Sequence, residues 1–185
     1  MNIIIYSFLS FFSLFHYLGA QPAIYTVDKG QVSFTSEAPL EIIKASSEQL
    51  RGAINMDENT FAFVVSTRSF EGFNSPLQKE HFNEKYLESD LYPNTTFTGK
   101  MIEKIDFSTP GEYKLRAKGT FTVHGVTQER IIRSTLIIEK KKMYITSSFS
   151  VLLADHNISI PKIVSQKIAE EIQVEIRVEL EPKNN

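Results

Sequence analysis

From Ile172 to Leu180 the chain alternates without a break. Ile172, Val174, Ile176, Val178 and Leu180 fall on one face, and Gln173, Glu175, Arg177 and Glu179 on the other. A period of two over this length marks a β-strand with one apolar face. Tyr113–Val123 repeats the pattern, with Tyr113, Leu115, Ala117, Gly119, Phe121 and Val123 set against Lys114, Arg116, Lys118, Thr120 and Thr122. Strands of this kind build an antiparallel sheet whose apolar face must be hidden. Rolling the sheet closed hides that face and removes the exposed edges together.

Most of the remaining chain reads the same way. Short strands are expected at 24–28 and 31–36, separated by a Lys29-Gly30 turn, then at 40–45, 50–55 and 61–66. Further strands follow at 95–105, 113–123, 131–139 and 144–153, with 172–180 the last. The basic run Lys140-Lys141-Lys142 reads as a hairpin turn held in solvent. The expected fold is therefore all-β, an eight-stranded antiparallel barrel, with a two-sheet sandwich as the alternative. A barrel of eight strands is just wide enough to be filled by side chains or to hold one slim ligand. Ala117 and Gly119, small residues on the inward face, are expected to leave space inside it.

One stretch breaks the β pattern. Phe70–Lys100 reads as loop, helix, turn and strand again. Ser75 can cap a helix whose first position is Pro76, where a missing N–H costs nothing. Leu77, His81, Phe82 and Leu87 form a rough apolar stripe, and Tyr92-Pro93-Asn94 stops the helix. One short helix near residues 75–88 is thus expected to cover the mouth or one end of the barrel. The aromatics Phe70 and Phe73, set around Gly72, either pack it there or touch a ligand.

Residues 1–20 carry no Asp, Glu, Lys or Arg, and an apolar run ends in Gly19-Ala20. This predicts an N-terminal signal peptide at 1–20, cleaved after Ala20, and an exported protein, secreted or periplasmic; the alternative is a retained anchor. Residues 21–185 fit a single domain. With no cysteine there is no disulfide and no thiolate chemistry, so the core alone must hold the fold. The 20 basic and 22 acidic residues nearly cancel, which excludes the basic excess a nucleic-acid surface needs.

Chemistry-bearing patterns are sparse. The sequence has no nucleophile elbow, no phosphate-cradling glycine loop and no zinc-ligand spacing. His81 with Glu84 three positions on is a weak metal pair, and the simpler reading is a helix-face hydrogen bond. His124 before Gly125 reads as a turn-stabilising ring or a headgroup contact. His156, in Asp155-His156-Asn157, reads as part of a polar turn. No metal or other cofactor is expected.

The segments Glu80-His81-Phe82-Asn83, Tyr92-Pro93-Asn94-Thr95-Thr96-Phe97 and Gly119-Thr120-Phe121-Thr122-Val123-His124-Gly125-Val126-Thr127 resemble the YceI-like family of bacterial secreted proteins. Tyr25-Thr26-Val27-Asp28 with Val32-Ser33-Phe34, and Ala154–Pro161, extend the likeness over nearly the whole chain after residue 20. The resemblance implies a lipocalin-like barrel that holds an isoprenoid or other amphiphilic lipid in its lumen. The expected ligand-binding residues are Phe70, Phe73, Phe82, Phe97, Leu115 and Phe121. The implied partner is a lipid with an isoprenoid-like chain, with transient membrane contact and no nucleic acid. Two other readings stand beside it: a solid-cored envelope protein without lipid cargo, and an enzyme acting on a bound lipid with His81 or His124 as base.

Overall fold

The structure, a computed structural model, describes residues 24–140 and 142–183. The expected signal peptide and its cleavage point lie outside the described residues. Nine strands form one antiparallel sheet: β1 (Ile24–Ala38), β2 (Glu41–Ser47), β3 (Arg51–Asn55), β4 (Thr60–Ser66), β5 (Asn94–Met101), β6 (Gly111–Val123), β7 (Val126–Glu139), β8 (Lys142–Leu152) and β9 (Glu171–Pro182). β9 pairs back onto β1 and closes the barrel.

β2 and β3 meet β1 in a single continuing register. Thr26 stands opposite Ala53, and Val32 opposite Ser47. They act as one strand interrupted at residues 48–50, so the closed ring has eight strands.

The structure corrects several sequence expectations. The expected turn at Lys29-Gly30 is absent, and residues 24–38 are continuous strand. A bulge there skips Asp28 in the pairing with β9, so the chain bends without breaking the ladder. β5 ends at Met101 rather than Ile105. The basic run does lie at a hairpin turn, with Glu139 paired to Lys142; the partly exposed Lys142 ammonium also bonds Glu179 and Glu181, which raise its pKa, and the same ammonium lowers that of Glu179.

Gly119 does not serve as vacant space. It stands opposite Gly99, and a Cβ there would overlap the Thr98 carbonyl and come within 2.9 Å of the Gly99 Cα. The two glycines let β5 and β6 approach more closely than side chains allow. Ala117, by contrast, is buried and faces the interior.

The alternation holds in three dimensions, but the core is uneven along the barrel. At the end bearing the β7–β8 hairpin, Ile54, Leu136, Met143 and Leu180 are fully buried and pack solidly. At the opposite end the inward residues Ile172, Val174 and Ile176 of β9 are only half-buried. The helical insertion sits at this second end. It runs as α1 (Pro76–His81) and continues as a π-helical turn over Phe82–Tyr86, two residues short of the expected span. Ser75 Oγ accepts from the Gln78 amide at 3.2 Å, with Pro76 at the first position, as the sequence indicated.

Candidate functional site

The half-buried end encloses an apolar cavity of about 330 Å³. Its wall comes from the inward faces of β1, β4, β5, β6, β8 and β9, and its cover from the helical insertion. The insertion is pinned by aromatic rings. Phe82 stacks on Phe34 with centroids 5.4 Å apart and planes 14° apart, and its ring lies 5.7 Å from Phe70 and 5.1 Å from Phe73. Phe82 descends from the insertion, Phe34 rises from β1, and Phe70 and Phe73 come from the link before the helix. The glycine between them, Gly72, has φ +98°, a left-handed conformation that a β-carbon disfavours, and it aims both rings inward.

Below these rings a second set continues the wall. Phe61 and Phe97 lie 4.8 Å apart, Phe97 and Phe121 meet edge to face at 6.1 Å, and Phe121 meets Phe149 at 5.9 Å. Such edge-to-face pairs hold rings in place while leaving apolar faces exposed to the space between them. A smaller cavity of about 70 Å³ lies deeper, bounded by Leu115, Ala117 and Ile132 and sharing Leu50, Phe63, Phe97 and Ile176 with the larger one.

Of the residues expected from sequence, Phe70, Phe73, Phe82, Phe97 and Phe121 line the larger cavity. Leu115 lies deeper, in the wall of the smaller one. Leu77, placed on the helix's apolar stripe, points outward and is 56% exposed, whereas Phe82, where the π-helical turn begins, faces the barrel. Sequence reasoning did not single out Phe34, Phe63, Phe149 or Val174 as wall residues. Their signal was the strand alternation itself, which marks inward positions without saying which of them border a void.

His81 and His124 near the mouth already have partners, whereas the buried Nε2 of His156 has none among the described residues. His124 lies at the β6–β7 turn with φ +50°. Its Nδ1 stands 3.0 Å from the His156 carbonyl and its Nε2 2.7 Å from Glu88 Oε2. Both ring nitrogens face acceptors, so the ring latches the end of the insertion to the barrel rather than facing a ligand. His81 borders the cavity, but its Nε2 is 3.1 Å from the Lys85 ammonium, which opposes a metal at this pair. His156 does end a short turn, Leu153–His156, but its ring is fully buried, donates from Nδ1 to the Val126 carbonyl at 3.2 Å, and lays its edge against Phe121 at 5.6 Å. Burial lowers its pKa, so the ring is held neutral.

One carboxylate trio, Asp28, Glu179 and Glu181, comes together among the described residues. Lys142 pairs with Glu179 and Glu181, and Lys29 lies 3.8 Å from Glu179. Nowhere among the described residues do a nucleophile, a base and a set of oxyanion donors converge, and the cavity wall is almost wholly hydrocarbon and aromatic. Such a site can exclude water and hold apolar surface.

The same architecture recurs in known structures. A polyisoprenoid binding domain from Saccharophagus degradans, described as implicated in plant cell wall breakdown, superposes with a TM-score of 0.73 at 13% identity, over 88% of this chain and 100% of that one. BcnA of Burkholderia cenocepacia gives 0.68 at 13% identity, over 81% and 95%. The YCEI protein of Campylobacter jejuni gives 0.56 at 20% identity, over 71% and 78%. At these identities the likeness is one of fold. No curated protein sequence matches the chain. The YceI-like domain family, however, matches residues 25–180, and with the closed eight-stranded barrel and its helical cover in place, the chain belongs to the YceI-like family.

Proposed function

We propose that this protein is an exported carrier that holds one long apolar chain, of isoprenoid type, inside its barrel. The observation that carries the reading is the cavity of about 330 Å³, walled by aromatic and aliphatic side chains and set at the end covered by the helical insertion. Small-molecule sites run from about 300 to 1,000 Å³, so this void is of ligand size. Each buried methylene gains roughly 0.8 kcal/mol, so a hydrocarbon chain needs few polar contacts here. The deeper cavity of about 70 Å³ extends the same wall and suits the end of a narrow chain.

Export fits the uncharged apolar stretch over residues 1–20. Leu40, Ile42, Leu77 and Ile163 are exposed beside residues that border the cavity, and they supply an apolar rim for brief contact with a lipid surface during loading. The opposite end is packed solidly by Ile54, Leu136, Met143 and Leu180, away from the main cavity.

Organic extraction of the purified protein, with native mass spectrometry of the intact form, tests the reading. It expects a co-purifying lipid at one per chain. A clean unliganded mass, and no uptake when prenyl lipids are added, would contradict it.

A further inference from the structure

The barrel seam between β7 and β8 is incomplete. β7 begins at Val126 and β8 runs to Leu152, yet their pairing stops at Ser134 opposite Ser147. Beyond that pair the strands part, and side chains take up backbone carbonyls left by the parting. Ser147 Oγ donates to the Arg133 carbonyl at 2.8 Å, and Arg130 Nη2 reaches across to the Ser150 carbonyl at 2.7 Å. The Arg130 guanidinium lies over the rings of Phe121 and Phe149, at 5.9 and 5.7 Å.

Where the strands part, a groove of about 670 Å³ opens on the outer surface. Its floor includes Leu115, Ser134, Ser147 and Ile176, which also bound the deeper lumen cavity. Its rim carries four cations and two carboxylates, Glu103 and Glu175. Arg116 and Arg133 stand directly opposite each other on neighbouring strands, and Lys114 and Arg177 complete the rim. Glu103 engages Arg116 at 2.7 Å, Glu112 engages Lys114 at 2.7 Å, and Glu175 lies 3.5 Å from Arg177. Arg133 makes no ion pair among the described residues. Glu103 already offsets Arg116, so the rim charge left without a carboxylate is that of Arg133, which a bound anion would neutralise. Thr135, Thr146 and Ser148 add hydroxyl donors around the same opening.

We infer that this groove is a side window that binds the anionic head, phosphate or carboxylate, of an amphiphile whose apolar chain lies in the lumen. The planar guanidinium groups of Arg133 and Arg177 suit such a head, since arginine recognises phosphate and carboxylate through paired donors. Groove and deeper cavity share Leu115, Ser134 and Ser147 as a common wall, and Ile176 borders all three spaces, so a head in the groove lies beside the lumen across a single layer of side chains. The inference rests on the lumen reading above and adds to it the chemical class and location of the head.

Equilibrium titration of the delipidated full-length protein with three probes tests it: farnesyl monophosphate, farnesol and inorganic phosphate. The wild type is expected to bind farnesyl monophosphate at least about tenfold more tightly than farnesol. An Arg133→Gln, Arg177→Gln double variant should lose that preference and keep its farnesol affinity. Both side chains are at the surface, so the fold should survive. Equal affinity for the two prenyl probes in the wild type overturns the head site and leaves the lumen reading standing. Binding of inorganic phosphate as tight as that of farnesyl monophosphate overturns the link between groove and lumen. If neither prenyl probe binds, the lumen reading fails and the side window with it.

Discussion

Removing the Phe82 ring tests what holds the insertion over the cavity. The helical stretch is too short to persist by itself, because a single isolated turn or two cannot repay the cost of nucleation. Its stability must come from contacts, and Phe82 supplies the central one, touching Phe34, Phe70 and Phe73 at 5.1–5.7 Å. A fully buried Phe→Ala change costs about 3–5 kcal/mol. Phe82 is half-buried and borders an existing void, so less apolar surface is lost. The ring pairs restore part of the difference, at about 0.5–1.5 kcal/mol each. Phe82→Ala should therefore cost about 2–3 kcal/mol in chemical denaturation, and about 4–12 °C in Tm for a chain of this size.

The loss should be visible locally too. The Leu87 amide donates to the Phe82 carbonyl at 2.9 Å and the Ser89 amide to that of Asn83 at 2.8 Å. Hydrogen exchange at Leu87 and Ser89 should accelerate, while β7–β8 amides near Leu136 and Met143 stay protected. Phe82→Leu should recover roughly half the stability, by restoring apolar volume without the ring geometry. A loss below about 1 kcal/mol, within the range of ordinary surface substitutions, together with unchanged exchange at Leu87 and Ser89, would refute the reasoning.

Three further outcomes are expected. Gly119→Ala should destabilise the barrel by about 1–3 kcal/mol or more, as overpacking does, because its Cβ meets backbone of β5 that has nowhere to move; thermal melting checks it, and a neutral result contradicts the close-approach reading. Arg130→Leu should cost about 1–3 kcal/mol by leaving the Ser150 carbonyl without its donor, measured by urea unfolding. His156 sets an acid sensitivity. Its folded-state pKa lies below the ordinary 6.5, so the unfolded chain binds the proton first. Its stability contribution is intact above that value and declines as pH falls from there toward the folded pKa, by at most about 1.4 kcal/mol per pH unit. His156→Leu should flatten this part of the stability-versus-pH curve, and an unchanged slope would contradict a buried neutral ring.

The strand alternation made the barrel legible, since Leu115, Ala117, Phe121, Val178 and Leu180 all point inward as their spacing requires. It also placed Phe121 on the inward face, whereas Phe70, Phe73 and Phe82 lie in the helical insertion, outside the alternation. It could not show where the lumen is hollow. Leu180 and Val174 sit in the same pattern, yet one is fully buried in solid core and the other borders the void, because that depends on how far the strands diverge toward the capped end. The role of Gly119 was misread for a related reason: a small residue on an inward face signals either space or close backbone approach, and only the partner strand decides. The turn at Asp155-His156-Asn157 was legible but the burial of His156 was not, because the β6–β7 turn that covers it is distant in sequence. Arg130 carried a usable signal: it falls on the inward phase of Ile132, Leu136 and Ile138, where a charge has no place unless the wall opens beside it.

The most direct test of a lumen-bound chain is stoichiometric uptake by the wild type and by a plugged barrel. Val174→Trp places a large ring from β9 into the middle of the cavity wall. With folding verified by circular dichroism, native mass spectrometry of delipidated wild type incubated with farnesol should show one molecule bound per chain, and the variant should show none. Equal uptake by both proteins would mean that the chain lies somewhere other than inside the barrel.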